Sequence, residues 1–262
     1  MRRALGTERV GHLGTLDPFA AGLLVIVVGR ATRLAPFAAG WDKAYDGVIR
    51  LGVATTTDDA TGAPLATSAG WRTLDRARVE QAVAAFRGAY DQRPPAYSAV
   101  KVAGERAYRR ARRGEPVAPL PRRVEVSELE LVRWEPPDLG FRATVSGGTY
   151  LRGLARDLGE ALGCGAHLAQ LTRTRVGPYR LADAVPPEAV TTGVLRDPAE
   201  LVRELPRWDL DAAGRDAVMH GRPLSAGQGE GGRVALFAGG ELVAVAERVG
   251  DVLKPRVVVA EP

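Results

Sequence analysis

A chain of 262 residues, 45% hydrophobic and 26% charged, has the composition of an ordinary globular protein and the length for one large domain plus a small one, each with its own core. Its single cysteine, Cys164, excludes an internal disulfide and leaves no cysteine-based metal site, while His12, His167 and His220 are too scattered in sequence to suggest a metal cluster. No apolar run reaches the ~18 residues of a membrane span and the N-terminus has no signal-peptide pattern, so a cytoplasmic protein with no membrane partner is expected.

The first informative element is Gly11-His12-Leu13-Gly14-Thr15-Leu16-Asp17-Pro18-Phe19-Ala20-Ala21-Gly22, which sets one carboxylate in a glycine-rich, otherwise apolar loop. The glycines permit positive φ and close approach of a ligand, and Pro18 fixes φ and removes a donor. An isolated Leu-Asp-Pro commonly closes a turn through the aspartate's own hydrogen bonds, so that reading competes with a functional one. The apolar run at residues 23–28 follows and reads as a buried strand on which the loop is anchored. A Walker A loop is excluded because the string ends Ala21-Gly22-Leu23 without Gly-Lys-Ser/Thr. Gly163-Cys164-Gly165-Ala166 follows a helix, where a dinucleotide fingerprint must follow a strand, and reads as a helix stop. A zinc-dependent base deaminase would need His-x-Glu and Pro-Cys-x-x-Cys, which one cysteine cannot supply.

Further along, residues 31–40 suggest a short helix, and residues 43–53 read as a strand from their β-branched and aromatic content. Thr73 is a plausible N-cap for a helix to about Arg87, with Val79, Ala82, Val83 and Phe86 on one face. Residues 94–99 must be extended or irregular around Pro94-Pro95. They lead into residues 101–123, where eight basic residues face two acidic ones, so that the rest of the chain is close to neutral although the net charge is +5. Tyr108 and Arg109, Arg110, Arg112 and Arg113 form a planar, multidentate cation array suited to phosphates, against the alternative of a solvated basic helix face. Prolines 119 and 121 close this segment, so 101–121 reads as an exposed insertion.

Residues 124–134 alternate as a strand whose phase slips once, the mark of a bulge. Residues 141–146 form another strand, and Gly147-Gly148 turns the chain into a helix with the stripe Leu151, Leu154, Ala155, Leu158 and Leu162. Tyr150 and Arg152 stand at that strand-to-helix junction. Four prolines, 186, 187, 198 and 206, punctuate a helical connector, and Gly239-Gly240 between two β-rich runs predicts a hairpin. Arginine outnumbers lysine 33 to 3, so Lys43, Lys101 and Lys254 stand out.

The Gly11 to Gly22 string closely resembles the signature loop of pseudouridine synthases of the bacterial TruB type, which isomerise the uridine at position 55 in the T-loop of transfer RNA. The resemblance implies an α+β pseudouridine synthase fold, a mixed, mostly antiparallel central sheet with flanking helices, over residues 1–205. Residues 206–262, with their hairpin and Leu253-Lys254-Pro255-Arg256, resemble a small β-barrel-like PUA-type RNA-binding domain. Asp17 corresponds to the catalytic aspartate and must be ionised to act, as nucleophile or base. Arg152 corresponds to the arginine that pairs with it. Tyr45 resembles the tyrosine that stacks on the flipped uracil, Tyr150 and Leu171 match positions that complete its pocket, and His12 matches a substrate-contacting histidine. The family also has lysines at the places of Lys43 and Lys101, and residues 101–121 resemble its RNA-gripping insertion, with Arg109, Arg110, Arg112 and Arg113 on the RNA.

The partner implied is the T-arm of transfer RNA, bound by a monomer that needs no protein partner. No cofactor or metal is called for, because the isomerisation is redox-neutral. Two other readings compete: an RNA-guided enzyme of the same chemistry, against which the long basic insertion argues, and a non-catalytic tRNA-binding or folding protein, which would be marked by loss of Asp17. Family members open with a strand and a Lys-Pro-Gly-type turn. This sequence begins at Met1-Arg2-Arg3, which suggests a misassigned start or a truncation that would expose a sheet edge and impair activity.

Overall fold

A computed structural model describes residues 1–102, 104–115 and 117–261; Ala103 and Pro116 of the basic insertion, and Pro262, lie outside the described residues. The strand expected from residues 43–53 forms as Lys43–Leu51 and is the spine of the larger sheet. It pairs antiparallel with Asp138–Val145 on one side and with Ala166–Val176 on the other, its side chains alternating between the two faces of the sheet. The sheet runs Tyr179–Arg180, Ala166–Val176, Lys43–Leu51, Asp138–Val145, Arg122–Glu135, Gly88–Gln92, and Ala21–Gly22 adds a short parallel pairing to Ala166–Val176. The Arg122–Glu135 strand slips register twice against its neighbour, after Val126 and after Leu131, one slip more than its sequence pattern predicts.

Two helices pack with this sheet. Leu151–Ala161 buries the expected stripe, and Leu154, Ala155 and Leu158 join Ile49, Leu51, Phe141, Ala143 and Leu168 in one core. Gly159 makes the contact possible, since a Cβ there would come within 2.3 Å of the Ala166 backbone nitrogen. The second helix, Arg76–Ala85, contributes Val79 and Val83 to the same core. It begins at Asp75 rather than Thr73, because the Asp75 carboxylate accepts from the Arg78 amide at 2.8 Å while Thr73 is spent in a preceding 3-10 turn.

The apolar run at 23–28 is not one buried strand. Leu23 is buried and held to Arg173, Leu24 is exposed, and only Ile26–Val28 forms a strand, paired with Val10–His12. The run divides because its first residues hydrogen-bond to one sheet and its last to another. Residues 31–40 form a 3-10 turn, Gly29–Leu34, and a single α-helical turn, Ala35–Ala38. The connector is likewise broken by its prolines into the 3-10 turns Pro187–Ala189, Thr192–Val194 and Pro198–Val202.

The chain gathers into two compact units, one of Leu16–Leu24 and Gly40–Ala184 around the larger sheet, the other of Met1–Thr15, Val25–Ala39 and Val185–Pro262. The second unit therefore takes in two N-terminal pieces and the connector besides the residues 206–262 marked off by sequence. Besides the Val10–His12 and Ile26–Val28 pair it holds a five-stranded sheet in the order Arg207–Asp209, Gly232–Ala238, Glu241–Val249, Val252–Val258, Leu224–Ser225, a curled half-barrel whose hairpin turns at Gly239-Gly240 as expected. Val234, Leu236, Val243, Ala244 and Leu253 form its core with Val218 of the Ala212–Met219 helix. Among the described residues no helix is long and apolar enough to cross a membrane.

Candidate active site

The loop closes its turn with main-chain atoms, which leaves the acid available. The Asp17 carbonyl accepts from the Ala20 amide at 2.9 Å across Pro18-Phe19. The side chain is not consumed in an Asx turn; both its oxygens accept from Arg152, Oδ2 from Nε and Oδ1 from Nη2, each at 2.9 Å. Such a two-armed pair fixes the carboxylate plane as well as neutralising it. Asp17 keeps 29% of its side-chain surface exposed against 5% for Arg152, so a ligand can reach the acid while its partner stays fixed behind it.

Arg152 occupies the first turn of the Leu151–Ala161 helix and has three further contacts that sequence reasoning did not identify. Its Nη1 donates to the Thr57 carbonyl at 3.0 Å, its Nη2 to the Tyr97 carbonyl at 3.1 Å, and its Nε lies 3.6 Å from the Asp59 carboxylate. Asp59 is itself built in: its Oδ1 accepts from the Thr57 hydroxyl, the Thr61 hydroxyl and the Thr61 amide at 2.6 to 2.9 Å. A buried guanidinium thus meets two carboxylates and two carbonyls, the condition under which a charge is tolerated at low exposure. The threonine-and-aspartate run at 55–61 was the only sequence signal for this.

The far end of the loop is pinned to the sheet. Leu23 donates its amide to the Arg173 carbonyl and accepts from Arg173 Nε, both at 2.8 Å. Gly22 has φ of +105°, and a Cβ there would sit 2.4 Å from the Arg173 carbonyl oxygen, so only glycine fits. Arg173 is 1% exposed and was also missed by sequence reasoning. It lies opposite Tyr45 in the ladder and hydrogen-bonds the Tyr45 hydroxyl. Burial raises the Tyr45 phenol above its ordinary pKa, Arg173 opposes that shift, and the charge of Asp17 adds a smaller upward push.

Lys43 stands two residues before Tyr45, at the start of the Lys43–Leu51 strand. It is buried, its ammonium donates to the Trp41 carbonyl at 2.8 Å, and burial, followed by the charge of Arg173, lowers its pKa. Tyr150 is the residue before the helix; Gln92 grips its main chain from both sides, Oε1 accepting from the Tyr150 amide at 2.8 Å and Nε2 donating to its carbonyl at 3.0 Å. Leu171 is buried in the core of the same unit. His12 ends the Val10–His12 strand of the other unit and is exposed.

In the basic insertion, Lys101–Val102 and Glu105–Arg106 form a small hairpin that precedes the helix Ala107–Arg112. Lys101 is exposed. The four arginines divide into two kinds. Arg113 makes a two-armed pair with Glu105 at 2.7 and 2.8 Å and reaches Glu115 at 2.6 Å, while Arg110 also pairs with Glu115 at 2.9 Å. Arg112 instead lies over the Tyr108 ring at 5.5 Å, and Arg109 lowers the pKa of the Tyr108 phenol. Of the expected array of four arginines, Arg110 and Arg113 form an internally neutralised cluster with Glu105 and Glu115, while Arg112 stands over Tyr108.

A sheet of this order, with an arginine-held aspartate on the loop that pairs with it, is the fold of pseudouridine synthases. Solved structures agree: the chain superposes on one from a Cbf5-Nop10-Gar1 complex with a TM-score of 0.72 at 24% identity, and on one from an H/ACA ribonucleoprotein bound to a substrate RNA containing 2'-deoxyuridine with 0.71 at 23%, covering in each case 99% of this chain and 79% of the other. The sequence model of the TruB family pseudouridylate synthase N-terminal domain matches residues 2–151, and that of the tRNA pseudouridylate synthase B C-terminal domain matches 152–205. The tRNA pseudouridine synthase B of Thermobifida fusca is 45% identical over 271 residues, covering 99% of this chain and 92% of the relative; that of Parasynechococcus marenigrum is 44% identical over 264, covering 98% and 90%. The chain belongs to the TruB family.

Proposed function

We infer that the protein converts the uridine at position 55 of transfer RNA into pseudouridine. The observation that carries this reading is the two-armed Arg152–Asp17 pair, an oriented and partly exposed carboxylate at 2.9 Å from a buried guanidinium. The reaction breaks the bond from uracil N1 to ribose C1', turns the base, and forms a bond from C5 to C1'. N1 ends protonated and C5 gives up its hydrogen as a proton, so no electrons are gained or lost and no step calls for a cofactor. An ionised Asp17 supplies the electron pair, to the ribose or ring as nucleophile or to a sugar proton as base.

A uracil stacked in its loop is out of reach, so it must be flipped into the site at a cost of a few kcal/mol, offset by stacking and phosphate contacts. Tyr45 is the stacking platform in this reading, Tyr150 and Leu171 complete the pocket, and His12 touches the substrate. Lys101 and Arg109, Arg110, Arg112 and Arg113 hold the T-arm, with Arg109 and Arg112 carrying most of the phosphate neutralisation. Residues 1–205 perform the chemistry and residues 206–262 add RNA contacts. The protein acts as a monomer on the cytoplasmic tRNA pool.

The test is to incubate the protein with an unmodified tRNA transcript and map pseudouridine by chemical labelling, alongside Asp17→Asn. The wild type should modify one uridine, and Asp17→Asn should bind the transcript and modify none. Turnover by the variant, or none by the wild type, would overturn the reading and, in the second case, favour a non-catalytic tRNA-binding protein.

A further inference from the structure

Arg156 lies one helical turn beyond Arg152, on the same face of the Leu151–Ala161 helix. Its contacts repeat those of Arg152 one step along. Nη1 donates to Asp58 Oδ2 at 3.0 Å and Nη2 to the Arg93 carbonyl at 2.7 Å, with Asp157 Oδ1 accepting from Nε at 3.0 Å and Nη2 at 2.7 Å. Arg152 takes the Thr57 and Tyr97 carbonyls. Each arginine therefore joins the helix to the same two segments, the turn at 57–59 and the irregular passage at 93–97.

The turn at 57–59 is an unfavourable one to hold. Asp58 has φ of +60°, the only non-glycine residue with positive φ among the described residues, a conformation that persists only where its surroundings impose it. Its carbonyl accepts from the Leu168 amide at 3.0 Å, and its carboxylate is held by Arg156 where both side chains are less than a fifth exposed. Burial raises the carboxyl pKa of both Asp58 and Asp157, and the charge of Arg156 opposes each shift, so its removal would leave two shielded acids without their cation. Asp58 is the neighbour of Thr57, whose carbonyl receives Arg152, and of Asp59, whose carboxylate faces it.

We propose that Arg156 is a positioning residue for the reaction: it clamps the 57–59 turn and the 93–97 passage to the helix and so fixes the acceptors that aim the Arg152 fork at Asp17. This rests on the reading of Asp17 as the catalytic group. Arg156 itself touches neither Asp17 nor the reacting atoms. Its effect is on rate, because a fork displaced by an ångström leaves Asp17 misaligned without removing any RNA contact.

The variants are Arg156→Gln, Arg156→Lys, Asp58→Asn, which tolerates the same left-handed backbone, and the double variant Arg156→Gln with Asp58→Asn. In single-turnover reactions with excess enzyme, Arg156→Gln should lose roughly 10- to 100-fold in rate while tRNA affinity stays within about twofold. Arg156→Lys should recover part of that loss, Asp58→Asn should lose less, and the double variant should be no slower than Arg156→Gln, since both remove one clamp. Hydrogen exchange gives a readout independent of turnover: the amides of Asp58, Ala60 and Thr61 should exchange about tenfold faster in Arg156→Gln, with the Asp138–Val145 strand unchanged. Unaltered exchange at those amides, wild-type rates in Arg156→Gln and Asp58→Asn, or a loss that falls wholly on affinity would overturn the proposal. If Arg156→Gln does not fold, the rate and exchange of Asp58→Asn decide. A wild type that makes no pseudouridine would refute the function and leave the clamp to be judged by exchange alone.

Discussion

Replacing Arg152 by lysine keeps the charge and removes the fork, so it separates neutralisation from orientation. Arg152 donates two hydrogen bonds to Asp17 at 2.9 Å and one each to the Thr57 and Tyr97 carbonyls at 3.0 and 3.1 Å. An ammonium is a point charge that can hold one carboxylate oxygen and one of the carbonyls. The lost arm is a charge-assisted bond of about 1.5–3 kcal/mol, and the partial exposure of Asp17 argues for the middle, about 2 kcal/mol. At ~1.4 kcal/mol per factor of ten, that is roughly a 30-fold loss of rate if orientation is what the arm supplies. The orphaned carbonyl costs a further ~1 kcal/mol or more, which belongs to stability rather than rate. The assay is single-turnover release of tritium from C5 of uracil-labelled tRNA, with affinity by filter binding and stability by urea denaturation. An Arg152→Lys enzyme within twofold of the wild-type rate, with stability lowered as expected, would refute the orientation argument.

The insertion makes a sharper prediction than its charge count does. Arg109→Ala with Arg112→Ala should flatten the dependence of log affinity on log salt by about 1 to 2, whereas Arg110→Ala with Arg113→Ala should change that slope by less than about 0.5, because Glu105 and Glu115 already neutralise those arginines. Equal slopes for the two pairs would refute the division. Gly22→Ala should cost about 2 kcal/mol or more in urea denaturation, since its Cβ would meet the Arg173 carbonyl oxygen at 2.4 Å on a backbone of φ +105°; a stable, fully active variant would show that the loop is not pinned there. Lys43 has its pKa lowered by burial and by Arg173, so the unfolded chain binds its proton more tightly than the folded one. Its contribution to stability therefore rises with pH from the lowered value up to the ordinary lysine value, and the pH dependence of stability in Lys43→Met, compared with wild type, should lack that rise.

Much of the site was legible before any tertiary contact. The glycines and proline around Asp17, the stripe that puts Arg152 on a helix, the stop at Gly163 and the hairpin at Gly239-Gly240 are all local patterns, and local backbone preferences are written within a few residues. The role of Arg152 came from the family's signature and not from periodicity. The expected Thr73 cap and the single strand over 23–28 failed because each was read from propensity alone. Asp75 held the better hydrogen bond, and the apolar run had to serve two sheets.

By itself the sequence determined that an aspartate would be presented on a rigid turn, that a helix would start beside Arg152, and that a basic segment would stand apart from a near-neutral body. Only the folded chain decided what surrounds that acid. Asp59, the Thr57 and Tyr97 carbonyls, Arg173 and the Asp58–Arg156 pair are brought in from segments 55 to 150 residues away from their partners. No spacing within a segment can encode such meetings, because they exist only when the ladders align and bury the arginines, whose charge then selects every polar group within reach.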